Sequence, residues 1–109
     1  MRPMMNRMLP AACALMVVLS APALADTDAG KRKSQACVAC HGPDGNSPVP
    51  DFPRIAGQHY DYLVKALKDY KSGARKSPIM APLVANLTQR DIEDLAEYYS
   101  SQRGLVTKH

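Results

Sequence analysis

The stretch CVACH places two cysteines and a histidine, Cys37, Cys40 and His41, within five consecutive residues. On a helical turn the positions i, i+3 and i+4 share one face, so these three side chains are predicted to point the same way. C-x-x-C-H is the attachment sequence of a c-type haem. The motif therefore predicts haem c, joined through thioethers to Cys37 and Cys40, with His41 as an axial ligand of the iron.

Three other uses of the two cysteines are open from the motif alone. A thioredoxin-like redox pair belongs beside a strand-helix-strand pattern, which the sequence lacks. A structural zinc site needs four ligands, and only His59 and His109 are available to complete it. A disulfide would leave His41 without a role.

The first 25 residues have the three parts of a secretory signal peptide. Arg2 and Arg7 give a basic start, the run from Leu9 to Leu19 is apolar, and Ala23-Leu24-Ala25 is a small-x-small site. The apolar run is shorter than the roughly 20 residues that span a bilayer. We therefore expect export to the periplasm, cleavage before Asp26 and no stable membrane insertion.

Loss of the leader would leave residues 26–109 as one small monohaem domain. A domain of 84 residues, from 109 less the 25 of the leader, gains little stability from an apolar core alone. It has no Trp and a single Phe, so a bound haem is expected to fill its interior. Its formal net charge falls from +4 to +2 with the loss of two arginines, which does not favour a nucleic acid partner.

Apolar periodicity predicts three helices and no credible strand pair, which is an all-α fold. The first helix is expected from Asp28 to Ala39. The second is expected over Tyr60–Ser72, where apolar side chains recur at i, i+3, i+4 and i+7 and Gly73 ends the run. Thr88 is expected to begin the third helix as the first residue of a near capping box.

Two irregular segments separate the predicted helices. Prolines and glycines exclude regular structure from Gly42–Gly57, a loop long enough to suggest that it wraps something. Pro78 and Pro82 exclude a continuous helix around Met80, the one methionine outside the leader. Held between these prolines, Met80 is predicted to be the second axial iron ligand, with His59 as an alternative ligand. The competing interpretation of Met80 is a core side chain that fills a gap.

The sequence resembles a class I c-type cytochrome, most closely a single haem module of the bacterial two-haem c-four group. The segments that carry the resemblance are CVACHG, FPRIAGQHYDYLVKAL, SPIMAP and LTQRDIEDLAEYYSSQ. The resemblance implies three main helices and long loops around one covalently bound haem. It also implies that the Pro53 carbonyl accepts a hydrogen bond from His41 and that Ile55 packs on the porphyrin. Helix contacts are implied for Tyr62, Leu63, Leu67 and Tyr99.

A haem iron with two axial ligands leaves no open position for a substrate, so the expected function is electron transfer and not enzymatic catalysis. The expected role is a soluble periplasmic carrier between respiratory or other redox proteins. One alternative is a haem c subunit of a larger oxidoreductase; another is a haem sensor or peroxidase in which Met80 is displaced. A basic stretch near Met80 is either a solvated helix face or a docking surface for acidic partners. It comprises Lys65, Lys68, Lys71, Arg75 and Lys76.

Overall fold

The computed structural model describes residues 12–17 and 25–104, and this part of the chain contains five helices and no strand. The all-α prediction is therefore confirmed for the described residues. The helices are α1 Thr27–Lys33, α2 Gln35–His41, α3 Tyr60–Ser72, α4 Met80–Val84 and α5 Gln89–Ser100. Most of the predicted leader, and the zinc candidate His109, lie outside the described residues.

The predicted first helix is two helices, α1 and α2, which meet at Ser34. Ser34 is buried, and its hydroxyl donates to the Lys31 carbonyl at 2.7 Å. Its backbone N–H is shared between the carbonyls of Gly30 and Lys31 at 2.9 and 3.3 Å. Serine competes in this way with the regular helical ladder, so the continuous helix expected from Asp28 was wrong at this point. The second helix continues to His41, so the whole C-x-x-C-H motif is helical.

Helix α3 has the predicted bounds. Leu63 is its buried residue, and Gly73 ends it with a φ of 84°. A left-handed residue at this position satisfies the last helical turn, and glycine adopts the conformation without steric cost.

Helix α4 was not predicted, because Pro78 and Pro82 were taken to exclude a continuous helix around Met80. Pro82 is the third residue of α4, where a backbone N–H has no partner within the helix in any case. Its missing N–H therefore breaks no hydrogen bond. The helix start is fixed instead by the Met80 N–H, which donates to Ser77 Oγ at 3.0 Å.

Helix α5 begins with the capping box that the sequence predicted. The Asp91 N–H donates to Thr88 Oγ1 at 3.1 Å, and the Thr88 N–H donates to Asp91 Oδ2 at 2.9 Å. Two of the donors that a helix leaves unpaired at its start are satisfied in this way.

The first and last helices cross at Gly30. A Cβ atom there would lie 2.0 Å from the Asp94 carbonyl oxygen and 2.6 Å from Tyr98 Cβ, so only glycine fits. Tyr98 itself is buried and donates from its hydroxyl to the Pro43 carbonyl at 2.6 Å. The crossing thus connects the helical core to the start of the long loop. The buried core cluster comprises Leu63, Leu95, Ala96, Tyr98 and Tyr99.

In the described part of the chain we find no helix with the length and apolar character needed to cross a membrane.

Candidate functional site

A cavity of about 420 Å³ lies between α2, α3, α4, α5 and the long loop. This volume falls within the roughly 300–1,000 Å³ of cofactor and ligand pockets, and the lining is mostly apolar as such pockets require. The cavity brings together every residue predicted to hold the haem except the alternative ligand His59. These are Cys37, Cys40, His41, Pro53, Ile55 and Met80.

The two cysteines and the histidine reach the cavity because α2 presents them on one face. Cys37 and Cys40 are half-buried and are free thiols. Burial raises the pKa of the Cys37 thiol, an effect that the neighbouring Tyr99 hydroxyl opposes. Two unpaired thiols, one helical turn apart at a cavity wall, are the arrangement that two thioether bonds to one ligand require.

The imidazole of His41 is held by the loop that faces it. His41 is 7% exposed, and its Nδ1 donates to the Pro53 carbonyl oxygen at 2.8 Å. This contact assigns the proton to Nδ1 and leaves Nε2 as the nitrogen with a free lone pair. A hydrogen bond of this kind fixes the ring orientation of a metal-binding histidine and makes the ring a stronger donor.

The loop that supplies Pro53 is anchored at Gly45. The Gly45 carbonyl accepts from the N–H groups of Ile55 and Ala56 at 2.9 and 3.1 Å. Gly45 has a φ of 86°, and a Cβ there would meet the Ala56 nitrogen and Tyr99 Cδ1, both at 2.8 Å. The loop therefore folds back on itself against α5 and holds Pro53 and Ile55 at the cavity wall.

Met80 lies half-buried at the start of α4 and lines the same cavity. Ile79 and Leu83, on either side of it in sequence, also line the cavity, yet they are 61% and 43% exposed. A ligand bound in this cavity would therefore contact both side chains and cover part of their exposed surface.

Tyr99 contributes a feature that the sequence did not reveal. Its side chain lines the cavity and is 3% exposed, but its hydroxyl has no hydrogen-bond partner among the described residues. Burial raises the pKa of Tyr99 well above its ordinary value. Since buried hydroxyls are normally paired, the bound group is expected to offer it a partner. The sequence places this phenol on the apolar face of α5 but does not show which atoms surround its hydroxyl.

The alternative ligands do not join this arrangement. His59 is exposed just before α3 and is not among the residues that line the cavity. Within residues 12–17 and 25–104, no three side chains of His, Cys, Asp or Glu are grouped closely enough to hold a metal ion.

Several members of the basic stretch are engaged in contacts within the chain. Lys65 pairs with Asp69 one turn along α3, and Lys71 donates to the Leu87 carbonyl. The first contact lies within α3, and the second joins α3 to the segment between α4 and α5.

Arg75 differs from the lysines because it lines the cavity. Its guanidinium lies 4.7 Å from the centre of the Tyr70 ring and donates to the Tyr62 hydroxyl at 3.3 Å. The hydrogen bond to Tyr62 is the main reason that the pKa of Arg75 is raised. A fixed positive charge therefore lies beside the cavity.

A family model described as "Cytochrome c" matches residues 27–102, and the chain belongs to the cytochrome c family. The resemblance inferred from the sequence is thereby confirmed. Cytochrome c4 of Pseudomonas aeruginosa is 47% identical over 83 residues, which cover 76% of this chain and 41% of the relative. Cytochrome c-554(548) of Halomonas halodenitrificans is 44% identical over 80 residues, which cover 71% of this chain and 96% of the relative.

Among solved structures, the reduced recombinant cytochrome c4 from Pseudomonas stutzeri superposes with a TM-score of 0.70 at 46% identity. The match covers 74% of this chain and 47% of that one. The chain thus spans about half the length of the cytochrome c4 proteins that it resembles.

Membership of the cytochrome c family identifies the cofactor as covalently bound haem c with its iron. The residues at the cavity fit this group in their chemistry. They provide two free thiols on one helical face, an imidazole with one ring nitrogen already engaged, an apolar lining and an unpartnered buried hydroxyl.

Proposed function

We propose that the protein is a one-electron carrier with a single His/Met-ligated haem c. Cys37 and Cys40 would form the thioethers, and His41 and Met80 would bind the iron. Pro53 orients His41, and Ile55 packs against the porphyrin. The observation that supports this proposal is the convergence of all six side chains on one cavity.

When bound, the haem supplies one-electron chemistry through its iron. The surrounding residues tune that chemistry in opposite directions. The hydrogen bond from His41 to Pro53 makes the imidazole more electron-donating, which favours the oxidised iron. The neutral thioether of Met80 raises the potential, which favours the reduced iron. An apolar lining further disfavours the additional positive charge of the oxidised state.

The backbone around Met80 favours a carrier over a sensor or peroxidase. Met80 begins a helix, its N–H is held by Ser77, and Pro82 restricts the next turn. A segment fixed in this way keeps the thioether at the cavity, whereas a sensor or peroxidase needs the ligand to leave.

The proposed location is the periplasm, reached by means of a leader that comprises residues 1–25. Soluble redox proteins there would be the partners, with acidic surfaces that face the basic stretch around α3. As an alternative, a subunit of a larger oxidoreductase would use the same haem site. A subunit would copurify with its partner, whereas a free carrier would not.

The test is an absorption spectrum of the purified exported protein, oxidised and reduced, with alkaline pyridine to detect thioether-linked haem. We expect a low-spin haem c spectrum and no rapid binding of carbon monoxide by the reduced protein. A folded but colourless product would refute the haem site. Rapid carbon monoxide binding would refute the carrier and support the sensor or peroxidase.

A further inference from the structure

A buried carboxylate on α5 collects hydrogen bonds from three donors. Asp94 is 1% exposed, and its Oδ2 accepts from Lys33 Nζ at 2.6 Å. Its Oδ1 accepts from Arg90 Nε at 3.0 Å and from the backbone N–H of Asp26 at 2.9 Å. Two of these donors are side-chain cations, and the third is a main-chain nitrogen 68 residues away in sequence.

That main-chain nitrogen belongs to the first residue after the expected cleavage site. Hydrolysis of the Ala25–Asp26 peptide bond by a leader peptidase consumes one water, leaves a carboxylate on Ala25 and frees the Asp26 amine, which takes up a proton. We propose that processing converts the Asp26 N–H into an α-ammonium group that forms an ion pair with Asp94 and ties the new N-terminus to α5.

Asp26 is held in place by contacts that do not involve the leader. Its carboxylate accepts from the N–H groups of Asp28 and Ala29 at 2.9 and 3.3 Å, and so caps α1. Its carbonyl accepts from the Gly30 N–H at 2.9 Å. At Gly30 an added Cβ would lie 2.0 Å from the Asp94 carbonyl oxygen, so α1 packs directly against α5 there and the Asp26 nitrogen is expected to remain beside Asp94 after the leader is removed.

The charge balance around Asp94 favours an added cation. Lys33 also contacts Asp91 at 3.0 Å, so one ammonium is shared between two carboxylates. Burial pushes the pKa of Asp94 up, but hydrogen bonds from Lys33 and Asp26 outweigh it and hold that pKa below its ordinary value. The charged groups of the cluster are Asp26, Asp28 and Lys33 from α1 and its cap, and Arg90, Asp91 and Asp94 from α5.

The consequence is a coupling between processing and stability that does not depend on the haem assignment. A charged donor to a buried carboxylate makes a hydrogen bond about twice as strong as a neutral donor does. In the precursor, Asp94 accepts only from the neutral amide N–H of Asp26 at this position. The contact between α1 and α5 is therefore strongest after the leader is removed.

The experiment compares two exported, haem-loaded proteins. One has the natural cleavage site, and the other carries Gly-Ser-Gly-Ser between Ala25 and Asp26. The insertion keeps the Asp26 N–H but moves the ammonium away. Intact mass confirms each N-terminus, and urea unfolding is followed from pH 6 to 10. The same pair is made with Asp94→Asn, which keeps the side-chain shape and removes its charge.

We expect the extended protein to have an unfolding constant about fivefold larger at pH 7. The difference should disappear with Asp94→Asn. An ion pair raises the pKa of the amine in the folded state above the roughly 7.7–8.0 of a free α-amine. The added stability is therefore complete below that range and is lost as the pH rises through the folded pKa.

A second measurement does not require the Asp94→Asn variant to fold. The α-amine of the natural protein should be acetylated several-fold more slowly than that of the extended protein, as located by peptide mass spectrometry. Equal urea midpoints, equal amine reactivity or a mature N-terminus other than Asp26 would each overturn the proposal.

Discussion

His41 Nδ1 and the Pro53 carbonyl oxygen lie 2.8 Å apart, although the two residues belong to different kinds of structure. His41 ends helix α2, whereas Pro53 lies in a loop without regular structure. The geometry of the pair depends on Gly45, which accepts two backbone hydrogen bonds from the far side of that loop. The orientation of the candidate iron ligand is therefore expected to depend on a glycine elsewhere in the loop.

Gly45→Ala is therefore expected to disturb the site as well as the fold. A side chain at a left-handed residue costs about 1–2 kcal/mol. Here the new Cβ would also lie 2.8 Å from a backbone nitrogen and from the Tyr99 ring. Gly73→Ala is the matched control, because Gly73 has a similar φ of 84° and nothing within 4 Å of the added atom. Urea unfolding should show the larger loss for Gly45→Ala, together with a changed reduction potential. Equal losses and an unchanged potential would contradict this account.

The free thiols of Cys37 and Cys40 give a direct test of attachment. Replacing both with alanine should abolish haem that resists extraction with acidified acetone, whereas either single change should lower the yield. Cys13→Ala is the control, since this third cysteine lies in the predicted leader and should leave the yield of attached haem unchanged. Attached haem in the double variant at the natural yield would rule out the thioethers.

Met80→Ala should open one side of the iron. Loss of the neutral thioether is expected to lower the reduction potential by on the order of a hundred millivolts or more, within the roughly 0.8 V that axial ligands can span. The reduced variant should also bind carbon monoxide. Leu83→Ala is the control, because it removes an apolar side chain from the same cavity without removing a ligand. If Met80→Ala keeps the natural spectrum, as Leu83→Ala is expected to do, another residue binds the iron.

The sequence was most informative where local chemistry decides the structure. Residues 60–72 and Gly73 specified α3 by periodicity and a stop signal, and the Thr88–Asp91 pair specified the start of α5. Ser34 was missed, because its residue type alone does not show whether its hydroxyl bonds to a nearby helical carbonyl, as it does to that of Lys31. Pro82 was misjudged, since its effect depends on its position within a helix whose start is fixed by Ser77.

In the candidate site, too, local sequence predicted some features, whereas others depend on tertiary contacts. The C-x-x-C-H motif and the single methionine after residue 25 identified residues that line the same cavity. The unpartnered hydroxyl of Tyr99 depends on which atoms surround it, and no spacing in the sequence records that. The link between Asp26 and Asp94 spans 68 residues and is likewise invisible to periodicity.

The contacts made by the basic stretch indicate which lysine is the best probe of docking. Lys65 is paired with Asp69, so Lys68, also exposed on α3, is the better probe. Lys68→Glu should slow electron exchange with an acidic partner more at low salt than at high salt, because screening removes a steering effect. Lys31→Glu is the control: it lies at an exposed position on α1, changes the net charge by the same amount as Lys68→Glu, and should have the smaller effect. Equal slowing by both would identify the effect as one of overall charge.

Acid should unfold the protein through the carboxylates at the α1–α5 crossing. The main causes of the lowered pKa of Asp91 are the Thr88 backbone N–H and Lys33, and hydrogen bonds hold the pKa of Asp94 below its ordinary value against the effect of burial. Because both folded-state pKa values lie below the unfolded value of about 3.9, the stabilisation is complete above that value and is lost as the pH falls through the folded-state pKa values.

Asp94→Asn should lower the urea midpoint at pH 7 and flatten its decline toward pH 3. Asp61→Asn, at an exposed position in the first turn of α3, is the control and should keep the natural decline. An unchanged acid profile in Asp94→Asn would show that the crossing is not the acid-sensitive element.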